Sequence, residues 1–353
     1  MHFDYNVGML PLAQTMSMGS AGLVVGPHRL PGRAFLAPMS GVTDVGMRRL
    51  AQRFGAAMVV SEMVDSDFYT AGDASSAAKA DGAGIDCHVV QIAGCRADSL
   101  ADAARLAEDQ GAAIVDINMG CPAKKVVGGL AGSALMRDLD HATALIRATV
   151  AAVSVPVTLK MRLGWNDASI NAPELARRAE AEGVAMVTVH GRTRCQFYKG
   201  AANWAAIRAV KEAVGIPVVA NGDCGSVEDA QAMMERSGAD AVMIGRAAMG
   251  RPWLVGDIAH ALATGERRAA PSRSARQAAA LDHYDLLLSL YGVDKGVRHA
   301  RKHLAAYALH AGRELSSPRA QALVTEERPD RVRALLAAVF DATDDIAFWE
   351  KAA

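Results

Sequence analysis

Eight short apolar runs recur along the chain, at residues 34–38, 57–62, 88–92, 113–118, 157–161, 186–190, 218–221 and 241–245. Runs that are apolar on both faces are the mark of strands covered by helices on either side. Between them lie stretches such as SLADAARLAEDQGA (99–112) and APELARRAEAEGVA (172–185), which carry helical spacing and a glycine near the end. Strand followed by helix, repeated eight times, predicts parallel βα units closed into a (β/α)8 TIM barrel over residues 23–265. The rival architecture, an open doubly wound sheet, is disfavoured because no GxGxxG follows the first strand. LVVGPHRLPGRAFL (23–36) predicts a hairpin beneath the barrel floor. After Gly265 the texture changes: Ala270–Pro271–Ser272 reads as a linker, and purely helical spacing over 271–342 predicts a small all-α C-terminal domain. Residues 1–22 read as a loose N-terminal extension, within which Met16 and Met18 offer alternative starts.

Composition narrows the class without naming a chemistry. The chain has 353 residues, 51% of them hydrophobic, and none of its apolar runs approaches the ~18 residues of a membrane span. A basic-then-apolar leader is absent, so a cytoplasmic, soluble protein is expected. Five cysteines, odd in number and without CxxC spacing, argue for a reducing compartment and against a disulfide framework or structural zinc. Net charge is zero, so a polyanionic partner must meet a local patch. No obligate protein partner is evident.

The chemistry lies at the strand ends. A (β/α)8 barrel presents its active site there, and polar side chains are costly to bury without purpose. Ser40 and Thr43 follow the first run, Ser61 and Glu62 end the second, and Gln91 sits in the third. Asp116 and Asn118 precede Cys121, Lys160 and Arg162 end the fifth run, and His190 and Arg192 the sixth. Asn221–Gly222–Asp223 close the seventh and Gly245–Arg246 the eighth. An Asn or Gln in such a place usually bonds backbone; Lys160 is harder to dismiss, since a lysine is seldom buried without an anionic partner. ANGDCGS, with Ser226 as a helix cap, and IGRA form a candidate phosphate cradle after the last two strands. A phosphate-bearing cofactor is implied. Lys160 then has two readings: a Schiff-base lysine, or a fixed cation beside a flavin. Spacing alone leaves both open.

The motifs in order are APMSGVTD (37–44), VSEMV (60–64), VVQIAG (89–94), DINMGCPAKKVVGGLAGSALM (116–136), VTLKMRLGW (157–165), VHGRTR (189–194), ANGD (220–223) and MIGRAAMGRPW (243–253). With them the chain resembles the bacterial tRNA-dihydrouridine synthases, B type, over residues 23–342. That resemblance implies an FMN-containing barrel, a helical tRNA-binding domain, and NADPH-driven reduction of the uridine C5–C6 bond. It implies FMN contacts from Pro38, Met39, Ser40, Gln91, Lys160, Asn221, Gly222, Asp223, Gly245 and Arg246, with His190 facing the flavin. Asn118 and Arg162 match positions near the target base, and Cys121 matches the proton donor. An ordinary thiol is mostly protonated at neutral pH and so can act as a general acid. Lys124 and Lys125 suit a phosphate-rich substrate. The extension is long for the B type, and Gly128–Gly129 stand where more polar residues are expected. Another FMN barrel enzyme acting on a free pyrimidine, and a non-catalytic tRNA-binding protein, are the competing readings.

A uridine in folded tRNA must leave its stack, which calls for a basic docking surface. KGVRHARKHLAAYALHAGR (295–313) puts Lys295, Arg298 and Lys302 on one helical face, with Leu304, Tyr307 and Leu309 packing inward. His299 and His303 have the i, i+4 spacing of a metal pair, but no third ligand is evident in the sequence, and no metal is expected.

Overall fold

The computed structural model describes residues 22–341. The hairpin forms from β1 (Val24–Val25) and β2 (His28–Arg29), paired antiparallel. Its turn places Gly26 at φ +56°, where any side chain would run into Pro156. Eight parallel strands follow: β3 (Ala34–Leu36), β4 (Met58–Asp65), β5 (His88–Ala93), β6 (Ile114–Met119), β7 (Val157–Arg162), β8 (Met186–His190), β9 (Val218–Asn221) and β10 (Ala241–Ile244). β10 pairs with both β9 and β3, so the sheet closes and the open-sheet alternative falls away. β4 outruns its predicted end, with a register shift between Val60 and Met63 that bends it around Ser61 and Glu62.

Helices α1 (Val45–Arg53), α2 (Ser66–Thr70), α3 (Ala74–Ala80), α4 (Ala97–Asp109), α5 (Lys124–Gly128), α6 (Leu139–Ala152), α7 (Ala172–Ala181), α8 (Arg208–Ala213), α9 (Val227–Ser237) and α10 (Trp253–Thr264) surround the barrel. Alternation along each strand sorts its residues. On β6, Val115, Ile117 and Met119 join the apolar layer beneath the helices, whereas Ile114, Asp116 and Asn118 point the other way. β7 does the same with Val157, Leu159 and Met161 outward against Thr158, Lys160 and Arg162. The barrel interior is therefore graded. Val25 and Leu30 of the hairpin pack with Phe35, Val89, Ile114, Met186 and Val219 into an apolar floor. Polar side chains fill the levels above it.

Four more helices, α11 (Arg273–Tyr291), α12 (Val293–His310), α13 (Pro318–Thr325) and α14 (Pro329–Val339), close over a separate core that includes Tyr284, Leu304, Tyr307, Leu323 and Leu336. Leu309 is not part of it: it stands 54% exposed, one position past the inward face. This helical region rests on loops at the barrel mouth. Gly250 sits so near α12 that a side chain there would meet the Ala306 backbone at 2.4 Å. The expected barrel followed by an all-α region is the fold observed; the residues before 22, read as a loose extension, lie outside the described part.

Candidate active site

A chain of hydrogen bonds rises through the barrel interior to the thiol. Buried Asp116 accepts from Thr158 Oγ1 at 2.6 Å and from Gln91 Nε2 at 2.7 Å. Burial raises its pKa against those bonds and the Lys160 charge. Gln91 Oε1 in turn accepts from Asn118 Nδ2 at 2.8 Å, which leaves Asn118 Oδ1 to take the N–H groups of Gly120 (3.1 Å) and Cys121 (2.9 Å). The short polar side chain thus folds the backbone after β6 into a tight turn. Ser133 fastens the far side, its Oγ donating to the Cys121 carbonyl at 2.8 Å. Gly132, at φ +59°, lets that contact form: a Cβ there would lie 2.9 Å from the same carbonyl. Cys121 emerges half-buried into a cavity of ≈ 430 Å³ lined by Pro38, Met39, Ser40, Gln91, Asn118, Lys160, Arg162 and His190 among others.

A second cavity, ≈ 450 Å³, opens beside it. Pro38, Met39, Lys160, His190, Tyr198 and Arg246 line both, so the two are continuous. Asn221, Gly222, Asp223, Gly225, Gly245 and Ala247 complete the second wall. Lys160 Nζ donates to Asn221 Oδ1 at 3.1 Å, and Asn221 Nδ2 is fixed by the Met243 carbonyl at 2.8 Å. Burial, and then the neighbouring Arg162, bring the Lys160 pKa down to about 8. The same two causes, burial first and then Lys160 with three arginines, hold His190 far below the usual imidazole range, so its ring is neutral. Gly222 is at φ +120°, and a Cβ would sit 2.8 Å from that of Ala202. Ser226 caps α9 by accepting from Asp229 N at 3.0 Å, as its place in the motif predicts. Arg246 leaves its side chain 60% exposed at the cavity edge. Together the two cavities match the size of a site for a cofactor-sized ligand.

The sequence profile of the family described as Dihydrouridine synthase (Dus) matches residues 35–339. A "Probable tRNA-dihydrouridine synthase" of Rhizobium leguminosarum bv. phaseoli is 53% identical over 310 residues, 88% of this chain and 96% of the relative. The chain belongs to the dihydrouridine synthase family. It is also 48% identical over 320 residues to "tRNA-dihydrouridine synthase B" of Xanthomonas axonopodis pv. citri, covering 90% of this chain and 96% of that one. Among solved structures, histamine dehydrogenase from Rhizobium sp. 4-9 shares the barrel at a TM-score of 0.51 and 15% identity, over 68% of this chain and 47% of that one. This chain therefore spans about half the length of that enzyme, and the likeness is one of fold.

For this dihydrouridine synthase family member, the structure gathers the expected Pro38, Met39, Ser40, Gln91, Asn118, Cys121, Lys160, Arg162, His190, Asn221–Asp223, Gly245 and Arg246 around the joined cavities. Two of them do more bracing than their positions imply. Arg162 donates to the carbonyls of Gly120, Thr193 and Phe197, each at 2.8 Å, tying the Cys121 turn to the loop after β8. Asp223 accepts from Arg192, Arg246 and the Ala202 N–H. Lys124 lies outside both cavities, exposed at the start of α5. On α12, Lys295 and Arg298 are exposed, but Lys302 is half-buried with Nζ 3.3 Å from His299 Nε2. Tyr198 is a lining residue that the strand-end argument missed; it stands with the Arg246 guanidinium 4.9 Å from its ring centre. Its signal was faint: an adjacent Phe–Tyr pair in a polar loop, in a chain only 5% aromatic. The His299–His303 pair does have a third neighbour, Asp44, delivered by the loop after β3.

Proposed function

We propose that the chain reduces the C5–C6 bond of uridines in tRNA to 5,6-dihydrouridine, with FMN in the joined cavities and NADPH as reductant. The observation that carries the reading is the placement of Cys121, a thiol on a doubly braced turn, in the same cavity as Lys160 and His190. The donor set fits FMN. Gly225, Gly245 and Arg246 suit its phosphate; Pro38–Ser40, Gln91, Lys160 and His190 suit its ring, and a buried cation suits the electron-rich reduced form. When bound, that group would supply the hydride that adds to C6 of the uracil.

The protein's own residues do the rest. Cys121 donates a proton to C5 as general acid, a role worth about 10²–10⁴-fold. Asn118 and Arg162 hold the turn, and therefore the thiol, against the base. Neutral His190 can donate or accept a hydrogen bond without adding charge beside Lys160. Lys124 at the rim, with Lys295, Arg298 and Lys302 on α12, meets tRNA phosphates and fixes register without reading bases. In this reading the helical region after residue 271 is the tRNA-docking unit.

The test is dihydrouridine formation by the purified protein with NADPH and unmodified tRNA, beside flavin released on acid denaturation. Product only with tRNA, together with FMN, is the expected result. Equal turnover of free uridine would favour the small-pyrimidine reading. A protein that binds tRNA but releases no flavin would be a non-catalytic binder.

A further inference from the structure

We propose that Asp44, His299 and His303, with His283 beside them, form a site for a divalent transition-metal ion of the zinc class, clamping the helical region onto the barrel. The four come from three elements: Asp44 caps α1, His283 is on α11, and the other two share a face of α12. A carboxylate oxygen of Asp44 and one nitrogen each of His299 and His303 all lie within 4.8 Å of one another. Tetrahedral ligands at zinc distances stand about 3–3.5 Å apart, so small side-chain rotations close the set. His283 lies outside that set but borders it, its Nε2 3.8 Å from Asp44 Oδ1.

Hydrogen bonding supports a cation in the middle. Asp44, His283 and His303 are each at most 2% exposed. Asp44 Oδ1 accepts from Met47 N at 3.0 Å, whereas Oδ2 has no partner. His283 Nε2 and both ring nitrogens of His303 are also without partners. His283 Nδ1, by contrast, is held by Tyr307 Oη at 3.1 Å, the outer contact that fixes the tautomer of a ligating histidine. Two imidazoles and one carboxylate, with a third imidazole alongside, suit zinc, cobalt or nickel better than magnesium or calcium.

Two cations border the cluster. Arg48 donates through Nε and Nη2 to the carbonyls of Thr43, Lys79 and Asp81, while its Nη1 has no hydrogen-bond partner. Lys302 is the competitor: its Nζ occupies the His299 ring edge and must swing outward when a metal binds. Metal and ammonium are alternative partners of one imidazole.

The experiment uses the untagged full chain, dialysed against a chelator and titrated with Co²⁺ and then Zn²⁺. The expected result is one ion per chain, with the visible bands of tetrahedral cobalt and no thiolate-to-cobalt absorption in the near ultraviolet. Both signals should vanish in His299→Gln and His303→Gln variants with native circular dichroism, and Lys302→Met should bind several-fold tighter. No stoichiometric uptake overturns the proposal, as does uptake unchanged in the histidine variants or a thiolate band that tracks Cys121. If His303→Gln fails to fold, cobalt-shifted imidazole resonances in the wild type decide: present, the site stands; absent, it falls.

Discussion

The barrel mouth and the seam under α12 are both buried polar clusters, the first built on barrel strands and the second where α11 and α12 meet the loop after β3, yet they are satisfied in opposite ways. At the mouth Asp116, Gln91 and Asn118 bond to one another and to the backbone of Cys121. At the seam Asp44 Oδ2 and both ring nitrogens of His303 have no hydrogen-bond partner, and His283 Nε2 has only Asp44 Oδ1 at 3.8 Å. A buried polar atom without a partner costs about 1–3 kcal/mol. The mouth is therefore a finished frame that holds a reactive group still. The seam is a donor set whose balance comes from outside the side chains.

The largest effect expected is at the one reactive atom the frame holds. Cys121→Ala should lower dihydrouridine formation by about 10²–10⁴-fold, while flavin stays bound and NADPH oxidation continues slowly. The check is product quantified by mass spectrometry beside the flavin spectrum. Full-rate product would end the general-acid assignment.

Asn118→Ala tests the frame itself. It removes the acceptor for two N–H groups and the link to Gln91. Misplacing the thiol should cost on the order of 10²-fold in kcat, with KM for tRNA little changed. Stability should fall by about 1–2 kcal/mol in urea unfolding. If only stability moved, Ser133 and Arg162 would be holding the turn without it.

Lys160 offers a pH signature between these extremes. Its folded pKa is about 8 against an ordinary 10.5, so between those values the unfolded chain holds a proton that the folded one lacks. Stability of the flavin-free protein should rise with pH across that window, since the unfolded state binds more protons there. Urea unfolding of Lys160→Met should lack this rise. A borohydride-trapped adduct on Lys160 would instead revive the Schiff-base reading.

The eight strands were legible because their residues are apolar on both faces, and the interior site because Asp116, Asn118, Lys160 and His190 interrupt that pattern at the upper ends of strands. Polarity where burial is forced is a strong signal. Tyr198 was not legible, because it comes from a loop whose path no periodicity describes. Arg162 matched a substrate position, but its carbonyl partners at Thr193 and Phe197 depend on that same loop. The seam was hidden for another reason. Its histidines and Asp44 lie at opposite ends of the chain and meet only once the helices dock.

The smallest effect belongs to the outer face of α12, where the contrast between frame and binding surface can be sharpened. Lys295 and Arg298 are exposed, but Lys302 points toward His299 and Gly41, so that a Cβ added at Gly41 would lie 3.4 Å from its Nζ. If the two exposed residues meet phosphates, each releases counterions and contributes about 0.7–0.9 to the slope of log affinity against log salt. The double variant Lys295→Ala/Arg298→Ala should lower that slope by roughly 1.4–1.8 and raise KM for tRNA, leaving flavin content alone. Adding Lys302→Ala then separates two cases. A further drop of about 0.7–0.9 means that Lys302 swings out to the substrate; no further drop means that it stays with His299 at the seam. Equal slopes for wild type and the double variant would assign the tRNA to the rim around Lys124 and Lys125, with α12 serving the seam alone.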